Sequence, residues 1–458
     1  MKVTRKILTF LLIIYIEIAN ILTLNALAAS NGTIANQAVK KDKEYSADFK
    51  WPKGPSITAE SAILMDVNTG TILFEKNPHK QLYPASITKI MTTLLALENS
   101  NLSDTVTYSK SAIYNLRYDS SKIYANVGEK LTVEQSLYGI MLASAGDCSN
   151  GIAEHVSGSI EAFAGLMNKR AEDLGCQNTH FVNPHGMPDN NHYTSAYDMA
   201  LITKAALQYE QFRKIAGAKK YTIPPTNLQK ESRYLTNHHK MLIKSNYTYE
   251  GCEGGKTGYT VASGYTLVTY AKRGDMELLC VILKDAATEH YTDTAKLFDW
   301  GFENFKSLNI SSYLSENQLS NYTLFDKAAL KADDGADYVI EIDKNSSILI
   351  PKTASFDDLK PTFIKNYNKD TSIASIRTIS YTFSGKEVGS VAVNFIKISN
   401  SVEDNYNNLD NAEISIKNSA SDVNYNKKRS ISFIKIGLTI FVVTIFVSVT
   451  YLIIKKRK

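Results

Sequence analysis

The chain has 458 residues, 44% hydrophobic and 10% aromatic, which is ordinary for globular protein and long enough for two or three domains. Its formal charge of +5 is concentrated at the ends: Lys2, Arg5 and Lys6 against Glu17 give +2 at the start, and eight basic residues with no acid lie between Lys427 and Lys458, so the body carries about −5. That balance excludes a nucleic-acid footprint, and nucleic acid is not an expected partner.

Residues 1–29 read as a signal peptide. A basic start is followed by the apolar run Ile7 to Ile16 and by small residues at Ala26, Ala28 and Ala29, with Glu17 the one interruption. Residues 30–55 are polar and rich in Ala, Asn and Lys, the composition of a flexible leader. The catalytic region is expected over 56–306. It opens with two short apolar runs, Ala62 to Met65 and Thr71 to Phe74, around the turn residues Asp66 to Gly70, which predicts a hairpin.

Next comes Pro84-Ala85-Ser86-Ile87-Thr88-Lys89 at the head of an apolar run. Serine and lysine three residues apart share one helix face, which sets a hydroxyl beside an amine. Farther along, Thr132 and Gln135 have capping-box spacing and predict a helix through Leu142. A turn at Ala143 to Asp147 and a second helix from about Asn150 through His155 follow. Phe181 to Met187 reads as a loop, and Asp198 to Leu207 as a helix. Gly254 to Tyr259 is expected to precede a strand at Tyr265 to Tyr270; Glu277 to Leu283 is its neighbouring strand, and Ala295 to Phe305 a closing helix. Helices with a mainly antiparallel sheet make an α+β fold.

Short β runs at Tyr338 to Ile342, Ser347 to Ile350, Ile379 to Phe383 and Gly389 to Val393 predict a small all-β domain over 307–398. Residues 399–434 are rich in Asn, Asp and Ser and read as a polar stalk. Residues 435–455 hold a long uncharged apolar run bracketed by basic clusters, the pattern of one transmembrane helix, and 456–458 would be a cytoplasmic basic tail. The expected location is the cell membrane, single-pass, with the catalytic region extracytoplasmic. Cys148, Cys176, Cys252 and Cys280 fall in the exported part, where disulfides are permitted; their spacing does not choose between core thiols and disulfides.

Three short motifs align in order: Ser86-x-x-Lys89, then Ser144 in a turn between helices 58 residues on, then Lys256-Thr257-Gly258 another 112 residues on. A serine hydroxyl needs a base, and a lysine serves only when burial or a nearby cation lowers its pKa. Lys89 is placed as the base and Lys256 as the cation. With Tyr83 to Thr92, Asn183-Pro184-His185-Gly186, His192-Tyr193 and Gly255 to Thr260, the sequence resembles the D-alanyl-D-alanine carboxypeptidases, the low-molecular-mass penicillin-binding serine DD-peptidases. The resemblance runs from about Ile57 to Phe305. It implies a β-lactamase/DD-peptidase-like transpeptidase fold, no cofactor, a peptidoglycan stem peptide ending in D-Ala-D-Ala as substrate, and β-lactams as covalent inhibitors.

The resemblance also implies roles. Ser86 would attack the penultimate D-alanine carbonyl, Lys89 would accept its proton, and Ser144 would relay a proton to the departing D-alanine. Lys256 and Thr257 would hold the terminal carboxylate, and the amides of Ser86 and Tyr259 the oxyanion, with Gly258 between them in the motif. One position departs from the pattern: the middle motif is Ser-x-Asn in the family and Ser144-Ala145-Gly146 here. That asparagine ordinarily helps to orient the lysine and the substrate's backbone; three alternatives stand in its absence, a local shift that lets Asp147 or Asn150 substitute, a slow enzyme, or one selective for different substrates. A catalytically impaired peptidoglycan-binding homologue and a class A-like β-lactamase remain as alternatives. A metal site built from His180, His185 and His192 is not expected, given their irregular loop spacing. Nor is a triad of Ser86 with His185 and Asp198, since Ser86 has a lysine one turn away.

Overall fold

The first hairpin turns on one carboxylate. Asp66 accepts from both the amide and the hydroxyl of Thr69, each at 2.8 Å, a local side-chain turn that joins β1 (Ser61–Asp66) to β2 (Ile72–Lys76) as predicted. The computed structural model describes residues 50–314, 338–342, 346–366 and 376–397. The expected signal peptide, nearly all of the leader, the stalk, the transmembrane helix and the basic tail lie outside the described residues. Among those described, no helix is long and apolar enough to cross a membrane.

In chain order the further strands are β3 (Thr105–Thr107), β4 (Lys130–Thr132), β5 (Lys220–Ile223), β6 (Arg233–Thr236), β7 (Cys252–Thr260), β8 (Gly264–Arg273) and β9 (Met276–Asp285). Then follow β10 (Phe305–Asn309), β11 (Tyr338–Ile342), β12 (Ser347–Pro351), β13 (Lys360–Asn366), β14 (Ile376–Phe383) and β15 (Lys386–Lys397). The central sheet is antiparallel with order β2-β1-β9-β8-β7.

The two-residue alternation of its strands divides two cores. Ile63 and Met65, Leu279 and Val281, and Val268 and Tyr270 enter one core; Leu64, Leu278, Ile282 and Leu267 enter the other. Because both faces are covered, these strands read as continuous apolar runs. The first core is filled from the helices Lys89–Asn99, Val133–Leu142, Gly146–Ser157, Ile160–Asp173 and Ala196–Ala206, and the second from Glu289–Asn304 through Leu297, Phe298 and Phe302. An α+β fold with helices on both faces of an antiparallel sheet is the architecture expected.

Several boundaries differ from expectation. Gly254 to Tyr259 does precede the strand at Tyr265 to Tyr270, and is itself part of a strand, β7, at the edge of the sheet. The helix expected from Asn150 begins at Gly146, where Asp147 supplies a negative charge in the first turn. The closing helix begins at Glu289, and Ile160–Asp173, capped by the Ser159 hydroxyl, is an additional helix. The capping box of Thr132 and Gln135 is present in both directions.

In the later region β11-β15-β14-β13 form one sheet, whereas β12 pairs with β10. Ile348, Ile350, Ile379, Tyr381 and Val391 form a third core there. Trp51 joins it to the second, its ring centroid 5.0 Å from that of Phe305 and 6.5 Å from that of Phe383.

One buried ion pair secures the edge of the first core that carries the 115–129 segment. Glu129, fully buried, takes two bonds from Arg233 at 2.7 and 2.9 Å, while Arg233 also donates to the Tyr124 carbonyl. Removing one partner of a buried pair strands the other charge. Arg233→Ala is expected to lower the unfolding free energy by about 3 kcal/mol in urea titrations; a loss no larger than that of an exposed pair such as Lys169–Asp173 would show that the pair contributes little.

Candidate active site

Ser86 stands on a strained turn. Ala85–Thr88 is a single 3-10 turn that passes into the helix from Lys89, and Ala85 has φ of +50°, a left-handed conformation costly for a residue with a side chain. Two neighbours hold it there. The Thr266 hydroxyl donates to the Pro84 carbonyl at 2.8 Å. Gly186, at φ of +86°, lies so close to the Ala85 carbonyl that a methyl group would overlap it.

Lys89 donates to Ser86 Oγ at 3.1 Å and to the His185 carbonyl at 2.5 Å. It is only 3% exposed. Burial first, and the positive charge of Lys256 second, hold its pKa well below the usual lysine range, against a weaker opposite pull from Asp147. The loop that supplies the carbonyl is fastened to the same helix. Thr92 donates to the Pro184 carbonyl at 2.6 Å, and the Thr88 hydroxyl lies 2.9 Å from His192 Nε2. His192 Nδ1 receives the Val182 amide, so the ring proton sits on Nε2 and points at Thr88. Burial pushes His192 down to about 3, which keeps it neutral.

β7 forms the opposite wall. Its Gly258 passes so near the serine turn that an added Cβ would lie 2.9 Å from the Ser86 amide nitrogen; a side chain there would drive strand and nucleophile apart. Lys256, 1% exposed, donates to the Thr257 carbonyl at 2.8 Å, and burial pushes its pKa down to about 7. Tyr259 is half-exposed at the strand's outer end. The structure therefore brings β7 at Gly258 against Ser86, and the charge of Lys256 within reach of Lys89.

Ser144 lies in the turn between the Val133–Leu142 and Gly146–Ser157 helices, buried and at φ of +57°. Among the described residues its hydroxyl bonds to neither Ser86 nor Lys89. The expected stand-ins for the motif amide are a correction. Asp147 accepts the amides of Ile123 and Ala125 at 3.2 and 3.1 Å, and Asn150 donates to the carbonyls of Ala112 and Asn115. Both are spent on the 112–125 segment and neither reaches the serine–lysine pair by a hydrogen bond.

Other candidates fall away on geometry. Asp198 accepts from the Asn178 amide and the Thr179 hydroxyl, each at 2.7 Å, and not from His185. His180 Nδ1 faces the Asn191 carbonyl. Among the described residues no group of three His, Cys, Asp or Glu side chains could hold a metal. The four cysteines are free thiols. What sequence reasoning missed is the backbone carbonyl of His185, which no side-chain pattern marks, and the Thr88 and Thr92 hydroxyls, which buried helix positions do hint at.

A serine one turn from a buried, deprotonation-prone lysine, facing a Lys-Thr-Gly edge strand, defines the class of serine peptidases that use an amine as base. Residues 48–287, just over half the chain, match the family model described as D-alanyl-D-alanine carboxypeptidase, and the chain belongs to that family. It is 38% identical over 255 residues to D-alanyl-D-alanine carboxypeptidase DacF of Bacillus subtilis, across 54% of this chain and 63% of that protein. To DacA of Escherichia coli it is 31% identical, across 69% of this chain and 76% of the relative. Among solved structures, the Streptomyces K15 DD-transpeptidase superposes with a TM-score of 0.52 at 30% identity, over 55% of this chain and all of that one.

The buried lysine has a measurable signature. Lys256 is near 7 when folded and about 10.4 when unfolded; between these values the unfolded chain binds the extra proton. Its contribution to stability is thus complete above about pH 10 and lost as pH falls toward 7, at up to about 1.4 kcal/mol per unit. Lys256→Met is expected to flatten the rise of urea midpoint from pH 7 to 9 by one proton's worth. A slope identical to wild type would mean that Lys256 is not buried as described.

Proposed function

We propose that the chain is a serine-type D-Ala-D-Ala carboxypeptidase that removes the terminal D-alanine of peptidoglycan stem peptides through an acyl-enzyme on Ser86. The observation that carries this reading is the 3.1 Å contact of Ser86 Oγ with a buried Lys89 whose pKa is depressed. β7, as an edge strand beside Ser86, leaves backbone groups for an extended peptide to pair with. Lys256 and Thr257 then receive the terminal carboxylate, whose negative charge favours the protonated form of Lys256.

Neutral Lys89 takes the hydroxyl proton as Ser86 Oγ bonds to the penultimate D-alanine carbonyl carbon. The oxyanion is met by the amides of Ser86 and Tyr259, each donor being worth about 3 kcal/mol of barrier. Collapse breaks the peptide bond, and the proton returns through Ser144 to the leaving D-alanine nitrogen. Water, deprotonated by Lys89, then cleaves the ester and restores Ser86. A β-lactam follows the first half of this course and stays on the serine. The family membership and the carboxypeptidase names of the relatives support the same reading.

The same proposal includes the plan of the chain: a catalytic region over 56–306, a β region over 307–398, and a single membrane helix over 435–455 that leaves the catalytic region outside the cytoplasm. Its support is the apolar run between basic clusters and the basic-then-apolar start.

Two experiments decide. A fluorescent penicillin should label the wild-type chain and not Ser86→Ala, and wild type should release D-alanine from diacetyl-Lys-D-Ala-D-Ala. Rapid turnover of the penicillin would identify a β-lactamase instead, and absence of both label and D-alanine would remove the enzyme reading. For the tether, a chain ending at residue 434 should move from the membrane fraction to the soluble one; its retention in membranes would refute the anchor.

A further inference from the structure

Behind the strand that carries Lys256 sits a histidine that the chemistry above does not use. Between β7 and β8, Lys256 pairs with Val268 and Gly255 with Thr269, so Lys256 and Val268 share one face of the sheet and Gly255 and Thr269 the other. His239, 1% exposed, reaches that second face: its Nε2 is 2.9 Å from the Thr269 hydroxyl and 3.3 Å from the Val268 carbonyl. A carbonyl only accepts, so the ring proton is on Nε2. The Thr269 hydroxyl in turn donates to Met241 Sδ at 3.9 Å. Space for the ring comes from Gly255, at φ of +152°. A Cβ there would lie 2.8 Å from His239 Nε2 and would overlap the Val268 carbonyl.

The two residues before His239 are fastened as well. Asn237 donates to the Ala216 and Ala218 carbonyls, and the His238 amide donates to the carbonyl of Leu142, two residues ahead of Ser144. Residues 237–239 thus tie β8 to the helix that leads into the Ser144 turn. The ring adds no charge where it sits. His239 Nδ1 is buried with no hydrogen-bond partner among the described residues, and burial pushes the ring down to about 4. A donor that stays neutral fixes the strands without a second cation to compete with Lys256.

We propose that His239 is a positioning residue for the carboxylate end of the site: from the back of the sheet it holds the strand pair at Lys256 and so fixes where Lys256 meets the substrate. This rests on the carboxypeptidase reading above, in which Lys256 receives the terminal carboxylate. Gly258, two residues on, passes the Ser86 amide, so a shift of β7 at 255–256 moves the carboxylate relative to the nucleophile. Loss of the imidazole leaves the Val268 carbonyl and the Thr269 hydroxyl short of a donor. The effect falls on substrate binding, because Ser86 and Lys89 are held by the Pro84 and His185 carbonyl contacts, which His239 does not touch.

The test uses the full-length chain with His239→Leu, His239→Gln and Thr269→Val, and diacetyl-Lys-D-Ala-D-Ala as substrate. His239→Leu should raise KM about tenfold and leave kcat within about twofold. His239→Gln, whose side-chain amide replaces the Nε2 donor, should keep KM near that of wild type. Thr269→Val cuts the 2.9 Å contact from its other end and should raise KM in the same sense, which keeps the test open if His239→Leu does not fold. A fall in kcat at unchanged KM, or a Gln variant as impaired as the Leu variant, would overturn the proposal. A second readout needs no turnover. With Lys256 let toward water, His239→Leu should flatten the rise of urea midpoint from pH 7 to 9, a range in which His239 itself does not titrate. Absence of D-alanine release by wild type would overturn the carboxypeptidase reading; equal slopes in wild type and His239→Leu would separately overturn the hold on Lys256.

Discussion

An amine without a counter-ion in its own hydrogen-bonding shell is the constraint on which this site depends. Lys89 is withdrawn from water with two oxygen partners, a hydroxyl and a carbonyl. Neither stabilises an ammonium as a carboxylate would, so desolvation favours the free amine. The protein could have relieved this by bringing Asp147 to the lysine, but that carboxylate is turned to backbone amides of another segment. The lowered pKa of Lys89 thus depends in part on where the Asp147 carboxylate is committed.

The scaffold keeps that arrangement from relaxing. The helix from Lys89 is packed into the first core by Ile90, Met91, Leu94 and Leu95, the 183–187 loop is bonded to the same helix, and β7 is paired to β8, whose Thr266 reaches the Pro84 carbonyl. Movement of the lysine toward water would require repacking a close-packed interior, not merely a side-chain rotation. Left-handed backbone at Ala85 and at Ser144 is tolerated for the same reason: surrounding contacts determine it.

Chemistry that is local in sequence was legible; chemistry made by distant backbone was not. The capping box of Thr132 and Gln135, the Asp66 turn and the Ser86–Lys89 spacing each depend on residues within one turn of each other. Gly254 to Tyr259 carries no apolar alternation to mark it as a strand, and Gly258 is bare because that strand runs past the Ser86 amide. The helix Ile160–Asp173 does carry a readable stripe, Ile160, Phe163, Ala164, Met167 and Ala171, diluted by a strongly charged opposite face. Nothing in the sequence near Gly146 tells that Leu116, thirty residues earlier, lies so close that a Cβ at 146 would be 3.1 Å from its side chain.

The four cysteines lead in a different direction. Cys148 and Cys280 are buried and Cys176 and Cys252 half-buried, and burial pushes Cys176 and Cys252 up to about 12 and the other two well above the usual thiol range. The thiolate is the species that attacks a disulfide or an oxidant, and here it is scarce at all four positions. The folded catalytic region therefore owes none of its cohesion to cross-linking and offers oxidising surroundings little to react with. It can reach its final form without an oxidase or an isomerase to pair its cysteines.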